Sequence, residues 1–281
     1  YHELRTIFQT ISLHDTIHIE FERSRRTQLS LDSSIDIPDN LVIRAARAVL
    51  DQLRISASVR FRLIKRIPMG AGLGGGSSNA AAVLLSLPAL AGKSITQSDI
   101  HLLASQLGSD VPFFLFGGTA LGIGRGTELY PLPDQAVHHA LVVASSIHVS
   151  TAQAYGALNR PLAGLSNVTN ALTSEEGFPI LREFQAVVWG LDNTPLAQLP
   201  LTNDFEPAVF AAHPVLGTLL RKLRRSGAAS ARMTGSGSAV FGIFASAAAA
   251  KVAAAGIPES HVVQFVTRRT YREQWRRALE R

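Results

Sequence analysis

The chain has 281 residues, of which 46% are apolar, and its 27 Lys and Arg exceed its 21 Asp and Glu, giving a formal net charge of +6. That length and apolar content suffice for a large core in one or two domains. The sequence lacks cysteine, which excludes disulfides and thiolate metal sites, and it predicts no signal peptide or transmembrane helix, so we expect a cytoplasmic protein.

Two strands and a helix are predicted at the start of the chain. Apolar and polar residues alternate over residues 17–21, and residues 6–13 are predicted as the partner strand across an intervening turn. Asp39 or Asn40 is predicted to cap a helix over residues 41–53, where apolar side chains recur at helical spacing.

A glycine-rich run from Pro68 to Asn79 follows a strand predicted at residues 59–63, and it has five glycines between Gly70 and Gly76. Glycine allows positive φ and lets backbone N–H groups approach an anion closely. Residues 77–79 are predicted to start a helix, whose N-terminal dipole favours phosphate. The order strand, loop, helix therefore predicts a phosphate-binding site.

Two common nucleotide loops fit this run poorly. A Walker A loop ends in Gly-Lys-Ser/Thr, whereas the next lysine after the glycines is Lys93. Residues 70–75 satisfy Gly-x-Gly-x-x-Gly, but a dinucleotide site also needs an acidic residue about 20 positions later. The candidate, Asp99, belongs to a predicted capping box that begins at Thr96, ahead of a helix over residues 100–107.

Asp110 lies between that helix and an apolar segment predicted as a strand from Phe113, which precedes a turn-rich region over residues 117–126. Its position at a break between two elements is compatible with a cleft and also with an ordinary surface turn.

The second half of the chain has a different order of predicted elements. They are a strand at 140–145, a helix from Ser150 or Thr151 that carries Tyr155, helices near 179–190 and 215–225, a strand at 228–233, a glycine turn at 234–238, a strand at 239–244, an alanine-rich helix, a strand at 261–267 and a terminal helix. This order predicts an α+β sandwich with helices on one face of a sheet.

Basic residues cluster at residues 221–225 and 268–277. We interpret these clusters as solvated helix faces and not as a nucleic-acid-binding surface. Excess positive charge also suits a phosphorylated substrate. His138 and His139 have no partner at metal-ligand spacing, so they are predicted as loop residues.

Three segments together resemble the GHMP kinase superfamily: residues 72–79, 108–114 and 234–241, with Tyr1-His2-Glu3-Leu4 as a fourth match. The resemblance spans nearly the whole chain. It implies a two-domain α+β fold, with a ribosomal protein S5 domain 2-like N-terminal domain over 1–145 and a ferredoxin-like α/β sandwich over 146–281.

The resemblance implies ATP-dependent phosphorylation of the 2-hydroxyl of a small alcohol that carries cytidine diphosphate, with Mg²⁺, in the non-mevalonate isoprenoid route. It implies Asp110 as the catalytic base, Tyr1 and Tyr155 as aromatics that sandwich the cytosine, His2 at the cytosine edge, and Gly235 in the substrate site. The residues implied to bind ATP are Pro68, Met69, Gly70, Ala71, Gly72, Leu73, Gly74, Gly75, Gly76, Ser77 and Ser78.

One departure concerns a strand bearing Pro-Ala-Lys-x-Asn, with which members of the family begin and whose lysine organises the catalytic aspartate. This sequence has no such strand and its first lysine is Lys65, so we expect the N-terminal domain to be truncated at its start. The metal ligands are not predicted, and we expect a monomer or weak homodimer with no nucleic-acid or membrane partner. Two alternatives stay open: another GHMP small-molecule kinase, and a catalytically impaired relative that binds nucleotide or RNA.

Overall fold

The computed structural model describes residues 4–35, 37–124, 126–134, 138–158, 190, 199 and 201–280. The chain forms two compact units. The first comprises residues 1–69, 74–136 and 265–281, and the second comprises residues 70–73 and 137–264. The units interleave in sequence, whereas the predicted domains 1–145 and 146–281 are continuous, and that boundary stays a prediction.

The first unit contains two three-stranded sheets, with strand orders β1-β5-β6 and β2-β4-β3. Its elements are β1 (Leu4–Gln9), β2 (Thr16–Arg23), β3 (Gln28–Ser33), α1 (Leu41–Leu53), β4 (Ala57–Ile64), α2 (Gly75–Leu90), α3 (Gln97–Leu107), a 3₁₀ helix (Pro112–Leu115), β5 (Thr119–Gly124), β6 (Glu128–Pro131) and the terminal helix α8 (Arg268–Leu279).

The alternation of apolar and polar side chains predicted for β2 and β4 is confirmed. On β4, Val59, Phe61 and Leu63 are buried between exposed arginines, as expected for a sheet with one face on the core. The predicted pairing of residues 6–13 with β2 is wrong. β1 pairs antiparallel with β5, and just beyond this ladder the Thr10 N–H donates to the Gly118 carbonyl at 3.0 Å. β2 pairs with β4 instead.

Two helices of the first unit begin at their predicted caps. Asn40 caps α1 by accepting the Val42 N–H at 3.0 Å, and Thr96 caps α3 by accepting the Asp99 N–H at 3.1 Å, both as predicted. The strand predicted from Phe113 is wrong. Pro112 begins a 3₁₀ helix there because its fixed φ suits a first helical turn.

The core of the first unit is formed between α1, α2 and the β2-β4-β3 sheet. The face of α1 that carries Val42, Ala46 and Val49 is fully buried, and Leu84 and Leu87 of α2 are buried with it. Fully burying such side chains stabilises by about 1.5–3 kcal/mol each, so this packing fixes the position of α2 and of the loop before it.

The second unit is built on an antiparallel four-stranded sheet of order β10-β7-β9-β8. Its elements are β7 (His139–Val143), α4 (Thr151–Ala157), α5 (Glu206–Ala212), α6 (Pro214–Arg225), β8 (Ser230–Met233), β9 (Val240–Phe244), α7 (Ala247–Ala255) and β10 (Ser260–Gln264).

Helices α6 and α7 pack on this sheet through Leu216, Leu223 and Ala250, which are fully buried against strand residues such as Leu141 and Val240. The predicted α+β class is confirmed. The helix predicted near 179–190 lies outside the described residues except for residue 190. Within the part of the chain that the structure describes, no helix is both long enough and apolar enough to cross a bilayer.

Candidate functional site

The glycine-rich loop leads into α2 two residues earlier than predicted. The helix begins at Gly75, and its N-cap is Gly74, with φ of 66° and no capping side chain. Ser77 and Ser78 therefore lie in the first turn and do not cap it. A left-handed residue at this position favours glycine, since an L side chain is strained there. A glycine at the N-cap also has no side chain of its own that could occupy the first backbone N–H groups of the helix.

This helix start presents unpaired backbone donors. Ser78 donates the first intrahelical bond, from its N–H to the Gly74 carbonyl at 2.8 Å. The N–H groups of Gly75, Gly76 and Ser77 precede that bond, and within the described residues no side chain caps them. These three donors and the positive end of a 16-residue helix are suited to bind phosphate.

Gly72 lies against the second glycine turn, residues 234–238, within the second unit. Gly72 has φ of 73°, and an added Cβ would lie 2.7 Å from the Gly237 carbonyl oxygen. Two hydrogen bonds join the same segments: Ala239 N–H donates to the Ala71 carbonyl at 3.1 Å, and the Thr234 hydroxyl donates to the Gly72 carbonyl at 3.3 Å. Two of the segments that carry the family resemblance are therefore in contact.

The predicted substrate residues Gly235 and Tyr155 are connected to this turn. Gly235 is exposed, with φ of 53°. Tyr155 lies on α4, whose first residue, Thr151, contacts the Ser236 hydroxyl at 3.1 Å. The Tyr155 ring packs edge-to-face on Phe205, with ring centroids 4.9 Å apart, and it stays partly exposed. Tyr1 and His2, the other two predicted substrate residues, lie outside the described residues.

Asn203 anchors the second glycine turn, a role that the sequence did not predict. Its side-chain amide donates to the carbonyls of Met233 and Gly235, each at 2.8 Å, and its amide oxygen accepts the Phe205 N–H at 2.9 Å. Its bond to the Phe205 N–H lies just before α5, whose N-cap is Phe205 and which has no capping side chain among the described residues. The link across 30 residues to the glycine turn has no local sequence signal.

Asp110 lies in the turn between α3 and the 3₁₀ helix and is exposed to solvent. Nearby protein removes part of its hydration, and this desolvation raises the pKa of its carboxyl above the ordinary value of 3.8. The carboxylate has no hydrogen-bond or ion-pair partner among the described residues. A carboxylate that is accessible, unpaired and more basic than usual is suited to accept a proton.

The segment after Asp110 packs beside the glycine-rich loop in the first unit. An added Cβ on Gly74 would lie 2.8 Å from the ring of Phe114, so the ring contacts the backbone of the loop closely. The same segment is held from its other side by α8. Tyr271 donates its hydroxyl to the Phe114 carbonyl at 2.6 Å, and burial raises the pKa of that hydroxyl to about 12, which keeps the donor protonated.

The prediction that the basic residues of 268–277 form a solvated helix face is wrong for Arg268. Its guanidinium is partly buried and donates to the carbonyls of Gly117, Thr119 and Leu132. Five fixed N–H donors allow arginine to satisfy several carbonyls at once. This residue therefore stabilises the first unit, whereas Arg269, Arg272, Arg276 and Arg277 are exposed, as predicted.

A buried ionic cluster joins the two sides of the glycine-rich loop, and it too was not predicted. The Asp15 carboxylate accepts bonds from Lys65 Nζ at 2.6 Å and from Asn79 Nδ2 at 2.9 Å. It also accepts the backbone N–H groups of Arg66 and Ile67, at 2.7 and 2.9 Å. Asp15 and Lys65 have side-chain exposures of 0% and 7%. The β2–β4 pairing and the packing of α2 in the core bring these residues together.

Magnesium would need ligands besides the side chains that the structure describes. Among the described residues, no group of three His, Cys, Asp or Glu side chains could hold a metal ion. Mg²⁺ prefers oxygen ligands and usually keeps several waters while binding substrate phosphates. The free N–H groups at the start of α2 suit a polyphosphate, so the residues present fit a metal that arrives as a nucleotide complex.

Two family models match the chain. The model described as GHMP kinases N terminal domain matches residues 40–118, and the model described as GHMP kinases C terminal matches residues 192–262. The N-terminal match covers the glycine-rich loop and Asp110, and the C-terminal match covers Asn203 and the second glycine turn.

Related proteins share most of the chain's length. A protein of Solibacter usitatus named 4-diphosphocytidyl-2-C-methyl-D-erythritol kinase is 50% identical over 99% of this chain and 86% of its own length. A crystal structure of 4-(cytidine 5'-diphospho)-2C-methyl-D-erythritol kinase superimposes with a TM-score of 0.76 at 31% identity, over 94% of this chain and 91% of that one. A homoserine kinase from Cytophaga hutchinsonii, at 18% identity and a TM-score of 0.71 over 93% of this chain and 89% of its own, shares the fold.

Proposed function

The chain belongs to the 4-diphosphocytidyl-2-C-methyl-D-erythritol kinase family of GHMP kinases, and we propose that it transfers the γ-phosphoryl group of ATP to the 2-hydroxyl of 4-diphosphocytidyl-2-C-methyl-D-erythritol. The observation that carries this proposal is the uncapped start of α2, with the segment that follows Asp110 packed against its N-cap glycine. An anion site and an available base thus lie on adjoining segments of one unit.

ATP is the co-substrate of a GHMP kinase, and its phosphates would bind along Pro68 to Ser78. The N–H groups of Gly75, Gly76 and Ser77 would donate to phosphate oxygens, and the helix dipole would stabilise their negative charge. Phosphoryl transfer depends mainly on positioning and on stabilisation of charge. A loop fixed by packing and hydrogen bonds supplies both without a Walker lysine.

Asp110 would act as the catalytic base. Its carboxylate would accept the proton of the 2-hydroxyl as the hydroxyl oxygen forms its bond to the γ-phosphorus and the bond to the leaving ADP breaks. The raised pKa of Asp110 makes its carboxylate a stronger base than an ordinary aspartate. Mg²⁺, when bound with ATP, would neutralise phosphate charge, with ligands drawn mainly from the phosphates and water.

Tyr155 and Gly235 would contact the cytidine diphosphate part of the substrate, together with Tyr1 and His2. Stacking of a base on an aromatic ring is worth about 1–3 kcal/mol. We expect Tyr155→Phe to leave the KM for this substrate nearly unchanged and Tyr155→Leu to raise it about tenfold, with the KM for ATP unaffected. A matching rise in both KM values would assign Tyr155 to packing on Phe205 alone.

The reaction also bears on where and how the protein works. We propose a cytoplasmic enzyme, because ATP is its co-substrate, acting as a monomer or weak homodimer. The net charge of +6 suits the anionic substrates, and we propose no nucleic-acid partner. An RNA gel-shift titration at physiological salt tests the alternative of an RNA-binding relative. RNA binding that ATP does not alter would favour that alternative.

The test of the proposal is a coupled assay of ADP release from the purified protein with ATP, Mg²⁺ and 4-diphosphocytidyl-2-C-methyl-D-erythritol. We expect turnover with this substrate and at least about 100-fold less kcat in Asp110→Asn. Turnover only with a different alcohol, such as homoserine or mevalonate, would contradict the assignment of the substrate.

A matched control is Asp51→Asn, which makes the same chemical change on the exposed surface of α1. We expect this control to keep wild-type kcat. Asp110→Asn with wild-type kcat would contradict the role of Asp110 as base. On the acidic side, kcat/KM of the wild type should fall as Asp110 protonates, with an apparent pKa above 3.8.

A further inference from the structure

The buried carboxylate of Asp15 contacts both ends of the glycine-rich loop, although 50 or more residues separate it from either end. Ahead of the loop it accepts the backbone N–H groups of Arg66 and Ile67 through Oδ1. Behind the loop it accepts the side-chain amide of Asn79 through Oδ2, at 2.9 Å. One side chain therefore sets the distance between the entrance and the exit of the loop.

The sheet register explains how Asp15 reaches this position. Thr16 at the start of β2 is paired with Ile64 at the end of β4, so Asp15 lies next to the residues that leave β4 toward the loop. Asn79 lies in α2 one turn after Gly75, and it is 6% exposed. A strand pair and a buried helix thus converge on one carboxylate, which leaves it little freedom to move.

Lys65 completes the cluster beside the start of α2. Its ammonium donates to Asp15 Oδ2 at 2.6 Å, and a Cβ added to Gly75 would lie 3.1 Å from Lys65 Nζ. The same Cβ would lie 2.9 Å from Cγ2 of Ile67. The first residue of α2 is therefore enclosed by two residues whose positions depend on hydrogen bonds to Asp15.

We propose that Asp15 is a positioning residue for ATP: through Arg66, Ile67, Lys65 and Asn79 it holds the loop so that the N–H groups of Gly75, Gly76 and Ser77 meet the phosphates. Asp15 is itself buried and does not touch the nucleotide. It acts by fixing the helix start, and a small displacement of such donors is costly because catalysis and binding depend on their geometry. This inference rests on the proposed use of ATP.

The central experiment compares Asp15→Asn with Glu20→Gln. Glu20 lies on the same strand and pairs with Arg60 of β4 at 2.6 Å, but both side chains are about two-thirds exposed, at 68% and 65%. We expect Asp15→Asn to raise the KM for ATP about tenfold, while the KM for the alcohol substrate changes less than twofold. Glu20→Gln should leave both values at the wild-type level.

Binding of the non-hydrolysable analogue AMP-PNP, measured by titration calorimetry without the second substrate, separates this inference from the proposed reaction. Asp15→Asn should weaken binding about tenfold whether or not the wild type phosphorylates the expected alcohol. Equal losses for both substrates, or a lower melting temperature with unchanged AMP-PNP affinity, would overturn the positioning role.

A second variant, Asn79→Ser, keeps the experiment decisive if Asp15→Asn folds poorly. It removes the bond behind the loop and leaves the Asp15–Lys65 pair intact, so we expect a three- to fivefold weaker AMP-PNP affinity with a near-normal melting temperature. Where both single variants fold, the double variant should bind AMP-PNP no more weakly than Asp15→Asn alone. Both substitutions remove the same hydrogen bond between Asn79 and the Asp15 carboxylate. Wild-type affinity in Asn79→Ser would overturn the inference.

Discussion

The two glycine-rich turns of this protein are each anchored by one polar side chain from a distant segment, and the two anchors differ in charge. Asp15 accepts backbone N–H groups at the entrance of the first loop, whereas Asn203 donates its amide to two carbonyls of the second turn. The chemistry of each anchor follows the backbone groups that face it. N–H groups favour an anionic acceptor, and carbonyls require a donor.

The anchors also differ in what their loss would leave behind. Asp15 is buried with a lysine, so removing its charge leaves a cation without a partner. Asn203 is only partly buried, so water can replace some of its bonds. An ionic anchor in the interior is therefore more rigid and more costly to lose than a neutral anchor near the surface.

The largest expected effect is that of Asp15→Asn, which should lower the free energy of unfolding by about 3–5 kcal/mol because it removes the anionic partner of the buried Lys65. Adding Lys65→Met should recover a large part of that loss. Urea unfolding of the wild type, the single variant and the double variant measures both values. A double variant as unstable as the single one would show that the ionic pair is not the reason.

The pH dependence of stability sharpens the contrast between the anchors. Burial alone would raise the pKa of Asp15, but hydrogen bonds from Lys65, the Ile67 and Arg66 backbone and Asn79 outweigh it and lower the pKa below 3.8. The ionised carboxylate therefore stabilises the fold at neutral pH, and this contribution disappears as pH falls through the lowered pKa. The stability difference between wild type and Asp15→Asn should shrink below pH 3.8, whereas that for Asn203→Ala should stay constant.

Gly72→Ala tests the contact between the two turns. The new Cβ would require a left-handed backbone and a 2.7 Å approach to the Gly237 carbonyl, so we expect a loss of about 2 kcal/mol or more. The control is Gly76→Ala in the first turn of α2, where the Cβ would make an ordinary contact with Leu41 at 3.6 Å. Measured without nucleotide, this control should be as stable as the wild type or more stable, by up to about 1 kcal/mol.

Asn203→Ala should cost about 1–2 kcal/mol, less than Asp15→Asn, because it removes three bonds to partly exposed backbone groups. Thermal unfolding at several pH values measures the size of this stability loss and tests whether it is independent of pH, as we expect. A loss as large as that of Asp15→Asn would contradict the distinction between a charged and a neutral anchor.

Thr234→Val should have the smallest effect, below about 1 kcal/mol. It removes only the 3.3 Å bond from the hydroxyl to the Gly72 carbonyl at an exposed position and keeps the shape of the side chain. The melting temperature should change by no more than a few degrees. A loss comparable to that of Gly72→Ala would mean that this hydroxyl, and not the close backbone approach, joins the two turns.

Local features of the fold were predictable because their causes lie within a few residues. The cap at Asn40, the buried alternation of β4 and the cap at Ser150, which accepts the Gln153 N–H, all depend on neighbours in sequence. The start of α2 was misplaced by two residues, since a serine is usually a better cap than a glycine. Here the left-handed backbone at Gly74 and the adjacent Phe114 ring decided otherwise.

The sequence by itself determined the kind of site: a glycine-rich loop that opens a helix, an aspartate after Gly108-Ser109, and a second glycine turn. Only the tertiary structure decided what holds that site. Asp15 and Asn79 are 64 residues apart, and Asn203 and Gly235 are 32 apart, so no local pattern marks either pair. Each pair forms because sheet pairing and core packing bring distant segments together, where a polar side chain can satisfy groups that would otherwise lack a partner.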